Sequence, residues 1–567
     1  MKRLLIWTGV FIGIIMIIMF LGYIILSSLF DPTPYVDNNS YVVINIGGFL
    51  PEYQPADFIE EYYLGISLDM RRLRKTIKMA ALDERIKGIV MNVGFVGMGF
   101  AKINELQDLI LEYKKSGKRI IAYLKIGLMR DYYLASVCDS IFLQPEGTLL
   151  LTGMAAEVTY YKGLLNQIGI EADFEHVGRY KTYPEPYTSD SMSDELREVI
   201  NDILDFRFDT MVAKIGEFRD LEGDSLIYMI NTISGFTPQE ALKFDLIDGI
   251  KHKDEIEKSI VDEDMELRKI SALEYSMVPI SDIGITGGPR FAVIYCTGSI
   301  MGGEDRSDPV FGSTMGASRV VRDLNNAAQN KSIKAIILRI DSPGGSGLAS
   351  EEIWYAINEA GKEKPVIASI SDVGASGGYY IAIAADTIVA HSSSLIGSIG
   401  VFAGKFSVKG LYDLLKLRTI NIKRGENANL FSLQSKFSES ERKIIRKIIE
   451  EHYLTFVTKV AAARNKSIEE VKNIAQGRVW NGAEGYSFGL VDTLGGLDVA
   501  INIAKEMIGI DQSQNIRLTY YPKRKSLFQS LMTTFQFTEN PIKKLEYYIE
   551  QLQAQPLALM PYYIKFR

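Results

Sequence analysis

Two glycine-bearing motifs and one lysine carry the chemistry open to this sequence. In Gly374-Ala375-Ser376-Gly377-Gly378-Tyr379 a serine stands ahead of two glycines. At a strand-to-helix turn such a serine exposes its oxygen and leaves neighbouring backbone N–H groups free to face an anion. Asp341-Ser342-Pro343-Gly344-Gly345-Ser346 is a turn sequence that brings a second N–H, that of Gly345. Ser376 is thus a candidate nucleophile, and Gly345 with Gly377 a candidate oxyanion hole. A serine hydroxyl needs an adjacent base. The four histidines, His176, His252, His391 and His452, fall into no triad pattern. A lysine serves if burial keeps it neutral, because desolvation lowers its pKa by up to roughly 3–5 units. Lys181, in Gly178-Arg179-Tyr180-Lys181-Thr182, is the candidate. Taken singly each feature has a plainer reading: a close-packed helix start, an ordinary turn, a solvated charge.

An internal repeat changes that balance. Shifted by 247 positions, residues 86–181 lie on 333–428 without a gap, with 21 identities in 96 pairs, where chance gives about six. A period this long means duplicated domains. Ser376 then lies opposite Met129, and Gly377-Gly378 opposite Arg130-Asp131. Lys181 lies opposite Ala428. One copy keeps the serine without the lysine, and the other keeps the lysine without the serine. Two half-sites of this kind make sense if they meet.

The elements that must position them follow from periodicity. Short apolar runs at 291–295, 335–340, 366–370 and 387–390 read as buried strands, and 318–328 and 350–360 show helical spacing. The alternation predicts α/β domains, each a parallel sheet covered by helices. Residues 191–218 and 438–463, at the same offset, read as long helices, the first opening on an expected capping box at Ser193-Asp194-Glu195-Leu196. The expected domains are 38–280, supplying the lysine, and 288–515, supplying the serine, joined near a Gly-Gly-Pro sequence. The extension 516–567 is rich in Tyr, Phe and Lys, and its apolar stretch 557–563 is too short to span a bilayer and is expected to pack on the body.

The chain has 567 residues, 47% hydrophobic and 23% charged, with a net charge of −7. That length calls for at least two domains, and that charge gives no footing for nucleic acid. Cys138 and Cys296 are too few for a disulfide framework and are expected as buried thiols; no cysteine–histidine cluster points to a metal, and no cofactor is expected. After Lys2 and Arg3 an uncharged run fills 4–30. As a helix it reaches roughly 40 Å, enough to cross a hydrocarbon core of about 30 Å with tilt. It is about twice the length of a signal-peptide core and ends without a clear small-x-small site. An uncleaved anchor is expected, with residues 1–3 in the cytoplasm and everything after the membrane outside it.

With these motifs the chain resembles the signal peptide peptidase A (protease IV) family in its long, duplicated form. The resemblance rests on Asp341-Ser342-Pro343-Gly344-Gly345, Ala375-Ser376-Gly377-Gly378-Tyr379, Gly397-Ser398-Ile399-Gly400 and Gly178-Arg179-Tyr180-Lys181-Thr182. It implies two tandem domains with the fold of the Clp protease and crotonases, and a Ser376/Lys181 dyad spanning them. It further implies oxyanion donors at Gly345 and Gly377, and Ser398 orienting the lysine. Single-domain members carry their lysine where this chain has Ala428. The implied work is cleavage of remnant signal peptides and other peptides at the bacterial inner membrane, by a homotetramer with its domains on the periplasmic side. Two other readings stay open on the residues alone: an acyl-CoA enzyme on the same scaffold, and an idle membrane scaffold that binds peptides.

Overall fold

The structure, a computed structural model, describes residues 34–54, 67–261, 266–308, 312–523, 557–559 and 565–566, with positions 13, 14, 17, 18 and 22 before them. The anchor expected over 4–30 therefore lies almost wholly outside the described residues. Among those described, no helix is long and apolar enough to cross a membrane.

Each copy of the repeat builds a parallel sheet. In the first, Ser40–Gly48, Ile86–Val96, Arg119–Gly127 and Ser140–Leu150 pair in that order, all parallel. Arg268–Ser271 adds an edge beside Ser40–Gly48. In the second, Arg290–Thr297, Ile333–Ser342 and Val366–Ala375 repeat the pattern. Thr387–Ala390 and Leu395–Gly397 pair with different stretches of Val366–Ala375. Ile336, Ile337 and Leu338 are fully buried, as strands covered on both faces must be. The helices Ala317–Gln329 and Gly347–Gly361 enclose the two helical stretches expected there. The outer edge is Arg517–Tyr521, parallel to Arg290–Thr297. Part of the expected extension is therefore built into the second sheet.

The long helices are Asp194–Arg219 and Glu439–Ala463. Ser438 and Glu441 form a full capping box. The box expected at Ser193 is only half formed. Ser193 Oγ accepts the Leu196 N–H at 3.2 Å, but Leu196 occupies the third helical position and has no carboxylate to answer. Glu185 takes that place, accepting the Ser193 N–H at 2.8 Å and its hydroxyl at 2.6 Å.

A third sheet draws strands from both copies. Glu171–Val177 of the first pairs antiparallel with Val401–Ser407 of the second, from Val177 opposite Val401 to Glu171 opposite Ser407. Gly344–Ser346 and Ser299–Met301 belong to the same sheet. This pairing carries the chain from the first copy into the second, four residues short of Lys181.

A buried ion network also joins the copies. Arg339, only 1% exposed, donates to Glu52 at 2.9 and 3.0 Å and to Glu105 at 2.6 Å. Ser369 and Ser371 accept from the same guanidinium at 2.9 and 3.2 Å. Burial raises the Glu52 pKa, but the charges of Arg339 and Lys102 outweigh it and hold the carboxyl down to about 2. A lowered carboxyl pKa contributes stability above the usual carboxylate range, lost as pH falls toward 2. Replacing Arg339 by Ala removes the cation shared by two buried carboxylates, leaving Glu52, among the described residues, only the cation Lys102 at 4.0 Å and Glu105 only Arg74 at 3.2 Å. The expected loss is about 3–5 kcal/mol, read as a lower urea midpoint at neutral pH.

Candidate active site

Ser376 is the hinge between the strand Val366–Ala375 and the helix Gly377–Ala382. Its backbone sits at φ 55° and ψ −116°, a region that costs a non-glycine residue about 1–3 kcal/mol. The surroundings hold it there. Its N–H donates to the Gly397 carbonyl at 2.7 Å, and its carbonyl accepts the Tyr380 N–H at 2.8 Å. The residue is fully buried.

The glycines around it have no room for side chains. A Cβ on Gly377 would lie 3.1 Å from the Gly345 nitrogen and 2.7 Å from Ser350 Oγ, and one on Gly378 would lie 2.5 Å from the Ser342 carbonyl oxygen. The two glycine motifs therefore pack backbone against backbone. Gly345 pairs with Ile300, whose carbonyl oxygen would be 2.0 Å from a Cβ on Gly345. Ser342 ties the turn, donating to the Gly298 carbonyl at 2.7 Å and accepting the Gly344 N–H at 3.2 Å.

Lys181 reaches this point from the other copy. After Val177 the chain turns at Gly178, at φ +113°. The Tyr180 N–H then donates to the Gln476 carbonyl at 2.7 Å. Gly477, at φ +76°, lies against the lysine so closely that a Cβ there would be 2.7 Å from Lys181 N and Cβ. The Lys181 Nζ lies 2.8 Å from Ser376 Oγ, 3.0 Å from Ser398 Oγ and 3.1 Å from the Ser398 carbonyl oxygen. The lysine is 0% exposed, and burial alone pushes its pKa well below the usual value of 10.5. A neutral amine has two N–H donors and one lone pair. Three oxygen neighbours, two of them hydroxyls, suit that form: the lone pair can accept from Ser376 while the N–H groups donate to Ser398. Ser398 is itself held at φ 49°, its N–H donating to the Arg478 carbonyl at 2.7 Å. The five residues singled out from sequence thus meet in one place.

The first copy fills the equivalent place differently. There the Asp131 carboxylate, fully buried, accepts the backbone N–H groups of Val96, Leu128 and Phe95 at 2.7, 2.9 and 3.0 Å. Backbone amides near the position matching Ser376 are spent on an internal acid, and Met129 stands where a hydroxyl would be needed.

Sequence reasoning missed Lys102. This lysine, 2% exposed, bonds Asp341 at 2.7 Å and lies 3.3 Å from Asp372, while its N–H donates to Asp372 at 3.1 Å. Asp341 opens the Pro-Gly-Gly turn, and Asp372 lies four residues before Ser376. Burial raises the Asp341 carboxyl to about 6 against the pull of Lys102, with Asp372 and Glu52 adding to the rise. The signal was present: Lys102 lies opposite Ala349 in the repeat, the same kind of difference that singled out Lys181. Also unread from sequence is a cavity of about 160 Å³ beside these elements, lined by Leu348, Ser350, Tyr380, Val401 and Phe456 among others. Cys138 and Cys296 are free and buried, and burial pushes the Cys296 thiol up to about 12.

Comparison with known proteins gives a consistent picture. The model of a family described as Peptidase family S49 matches residues 112–268 and 358–511, once in each copy. The chain is 33% identical over 460 residues to the chloroplastic serine protease SPPA of Arabidopsis thaliana, covering 80% of this chain and 67% of that one. It is 31% identical over 471 residues to Protease 4 of Salmonella typhi, covering 80% and 74%. Among solved structures, a mutant of the 1510-N membrane-bound stomatin-specific protease matches 41% of this chain and 98% of its own, at 15% identity and a TM-score of 0.27.

The clamp on Lys181 can be tested by itself. Gly477→Ala forces a methyl group into the lysine backbone at a left-handed φ. Misplacing a reacting group by about 1 Å costs on the order of 10²-fold, so peptide hydrolysis by this variant is expected to fall tenfold or more, in kcat rather than KM.

Proposed function

Since the chain belongs to peptidase family S49 and is a serine-type peptidase, we propose that Ser376 is its nucleophile, Lys181 its general base, and remnant signal peptides and other peptides at a membrane its substrates. The observation that carries this reading is the 2.8 Å contact between a buried, uncompensated amine and Ser376 Oγ. Neutral Lys181 takes the hydroxyl proton as Ser376 attacks the scissile carbonyl. The tetrahedral oxyanion rests on the amides of Gly345 and Gly377. Protonated Lys181 then gives its proton to the leaving amine, and a water activated by the same lysine resolves the acyl-enzyme. Ser398 positions the lysine with its hydroxyl and carbonyl.

The finer parts of the reading extend the sequence argument. The two copies are tandem Clp protease/crotonase-like domains, 38–280 and 288–515. The run 4–30 anchors them in the bacterial inner membrane, with the domains on the periplasmic side beside their substrates. The functional assembly is a homotetramer. What supports the anchor is the apolar run itself and the positive residues before it, and what supports the substrate is a relative from Enterococcus faecium whose name reads "Putative signal peptide peptidase SppA".

Ser376→Ala is expected to abolish hydrolysis while leaving the unfolding midpoint in place. Lys181→Ala is expected to lower kcat by roughly 10²–10⁴-fold. Lys181→Arg is expected to be equally poor at every pH, because a guanidinium does not release its proton. In the native chain the base works only when neutral. The rate should therefore rise with pH and level off once Lys181 has lost its proton, with the acid limb displaced well below 10.5. Near-native turnover in Lys181→Ala would sink the cross-copy dyad.

A further inference from the structure

We infer that Lys102 is a positioning residue of the reaction: from the first copy it grips one carboxylate on each of the two strands that carry the oxyanion turn and the nucleophile, and so fixes Gly345 against Ser376. The inference rests on the peptidase reading above and adds a second lysine that the first copy lends to the site. The strands Ile333–Ser342 and Val366–Ala375 end in the two turns. Their pairing runs in register from Ile336 opposite Val366 to Ile340 opposite Ile370 and then slips, so that Ser342 lies opposite Gly374. Asp341 on one strand therefore faces Ser371, Asp372 and Val373 on the other. A slipped ladder is locally disrupted and no longer sets the spacing by backbone alone. Side chains take over. One Asp341 oxygen accepts the Val373 N–H at 3.2 Å, and the other accepts from Lys102 Nζ at 2.7 Å. The same Nζ lies 3.3 Å from Asp372. Gly345 comes four residues after Asp341, and Ser376 four after Asp372.

The surroundings of Lys102 are shaped for this contact. It occupies the third position of the helix Phe100–Lys114, whose N-cap, Gly99, has no side chain to accept the free N–H groups. Asp372 of the second copy accepts instead, taking the Lys102 N–H at 3.1 Å, and a helix N-terminus favours such a carboxylate. Gly99 makes room for it. A Cβ there would lie 2.2, 2.3 and 2.4 Å from Asp372 Cγ, Oδ1 and Oδ2. Without the lysine, two carboxylates would face each other across the slipped ladder, and their repulsion would push the strand ends apart.

The repeat carries the same complementary pattern here as at the dyad. Asp341 and Asp372 lie opposite Gly94 and Lys125, while Lys102 lies opposite Ala349. The second copy keeps the acids without the lysine, and the first keeps the lysine without the acids. The role of Lys102 is separate from that of Lys181. Burial alone lowers the Lys181 pKa, so removing the Lys102 charge leaves the base as it is.

The test follows peptide hydrolysis by the full chain as kcat and KM across pH. Lys102→Met keeps the length of the side chain and removes its charge. It is expected to lower the kcat plateau about tenfold to a hundredfold, the scale of a reacting group displaced by about 1 Å, with KM unchanged and the acid limb of the profile unmoved. Adding Asp372→Asn to Lys102→Met removes one of the two repelling charges and keeps an acceptor for the N–H at position 102. This double variant is expected to regain about threefold or more in kcat over Lys102→Met, a coupling that residues in contact show. Near-native kcat in Lys102→Met overturns the inference, as does a double variant no faster than the single one, the pattern of a merely structural loss. Where Lys102→Met does not fold, Gly99→Ala decides, since it leaves every charge in place and drives a methyl group into the Asp372 carboxylate. It is expected to lose kcat at unchanged KM, and native kcat in that variant overturns the inference. A folded native chain that neither cleaves peptides nor takes a fluorophosphonate overturns the peptidase mechanism, whereas an active native chain matched by Lys102→Met overturns the role of Lys102 alone.

Discussion

Burying an amine with no carboxylate beside it is the constraint around which this molecule is arranged. A charged ammonium in that position loses its hydration and gains no partner, a penalty of several kcal/mol even after relaxation. Burial accordingly pushes the Lys181 pKa well below its usual value. Its Nζ lies 2.8 Å from the Ser376 hydroxyl oxygen. Everything that packs around it, from the Gly477 turn to the Ser398 hydroxyl and carbonyl, offers neutral dipoles. A carboxylate placed there would have favoured the charged ammonium and raised its pKa.

In this chain that arrangement draws on both copies of the repeat. Lys181 comes in on a strand of the first copy that pairs with Val401–Ser407 of the second, and Arg339 and Lys102 tie the copies together through carboxylates of both. Division of labour follows from sterics. A turn that exposes a serine needs glycine where Gly377 and Gly378 approach Ser342 and Gly345. The first copy abandoned that turn, placing Arg130 and Asp131 there, and Asp131 satisfies the amides left over. Once its own turn was closed, the first copy could offer a lysine to its neighbour without building a second centre.

The third sheet joins the two copies beside the candidate site. The strand that carries Gly345 pairs on one side with Ser299–Met301 and on the other with Leu557–Leu559. The C-terminal segment therefore lies against the same backbone that holds Gly345 in place.

The sequence by itself determined the α/β class, the duplication and the long helices, and with the family resemblance it singled out the five residues that the structure brings together. Strand and helix periods are local, and the repeat supplied an internal control at Ser376, Lys181 and Ala428. The same comparison held Lys102 opposite Ala349, unread because a lysine on a helical stretch looks like any solvated charge. The capping box misassigned at Ser193 shows the limit in miniature: its partner, Glu185, lies eight residues before it in the chain and on no helical spacing. Only the tertiary structure decided that Lys181 is buried, that Gly477 clamps it, that Asp341 and Asp372 share one lysine, and that the C-terminal segment lies beside Gly345. Each of these depends on contacts between residues up to hundreds of positions apart. Burial and proximity are properties of the packed chain, and no local pattern of residue types encodes them.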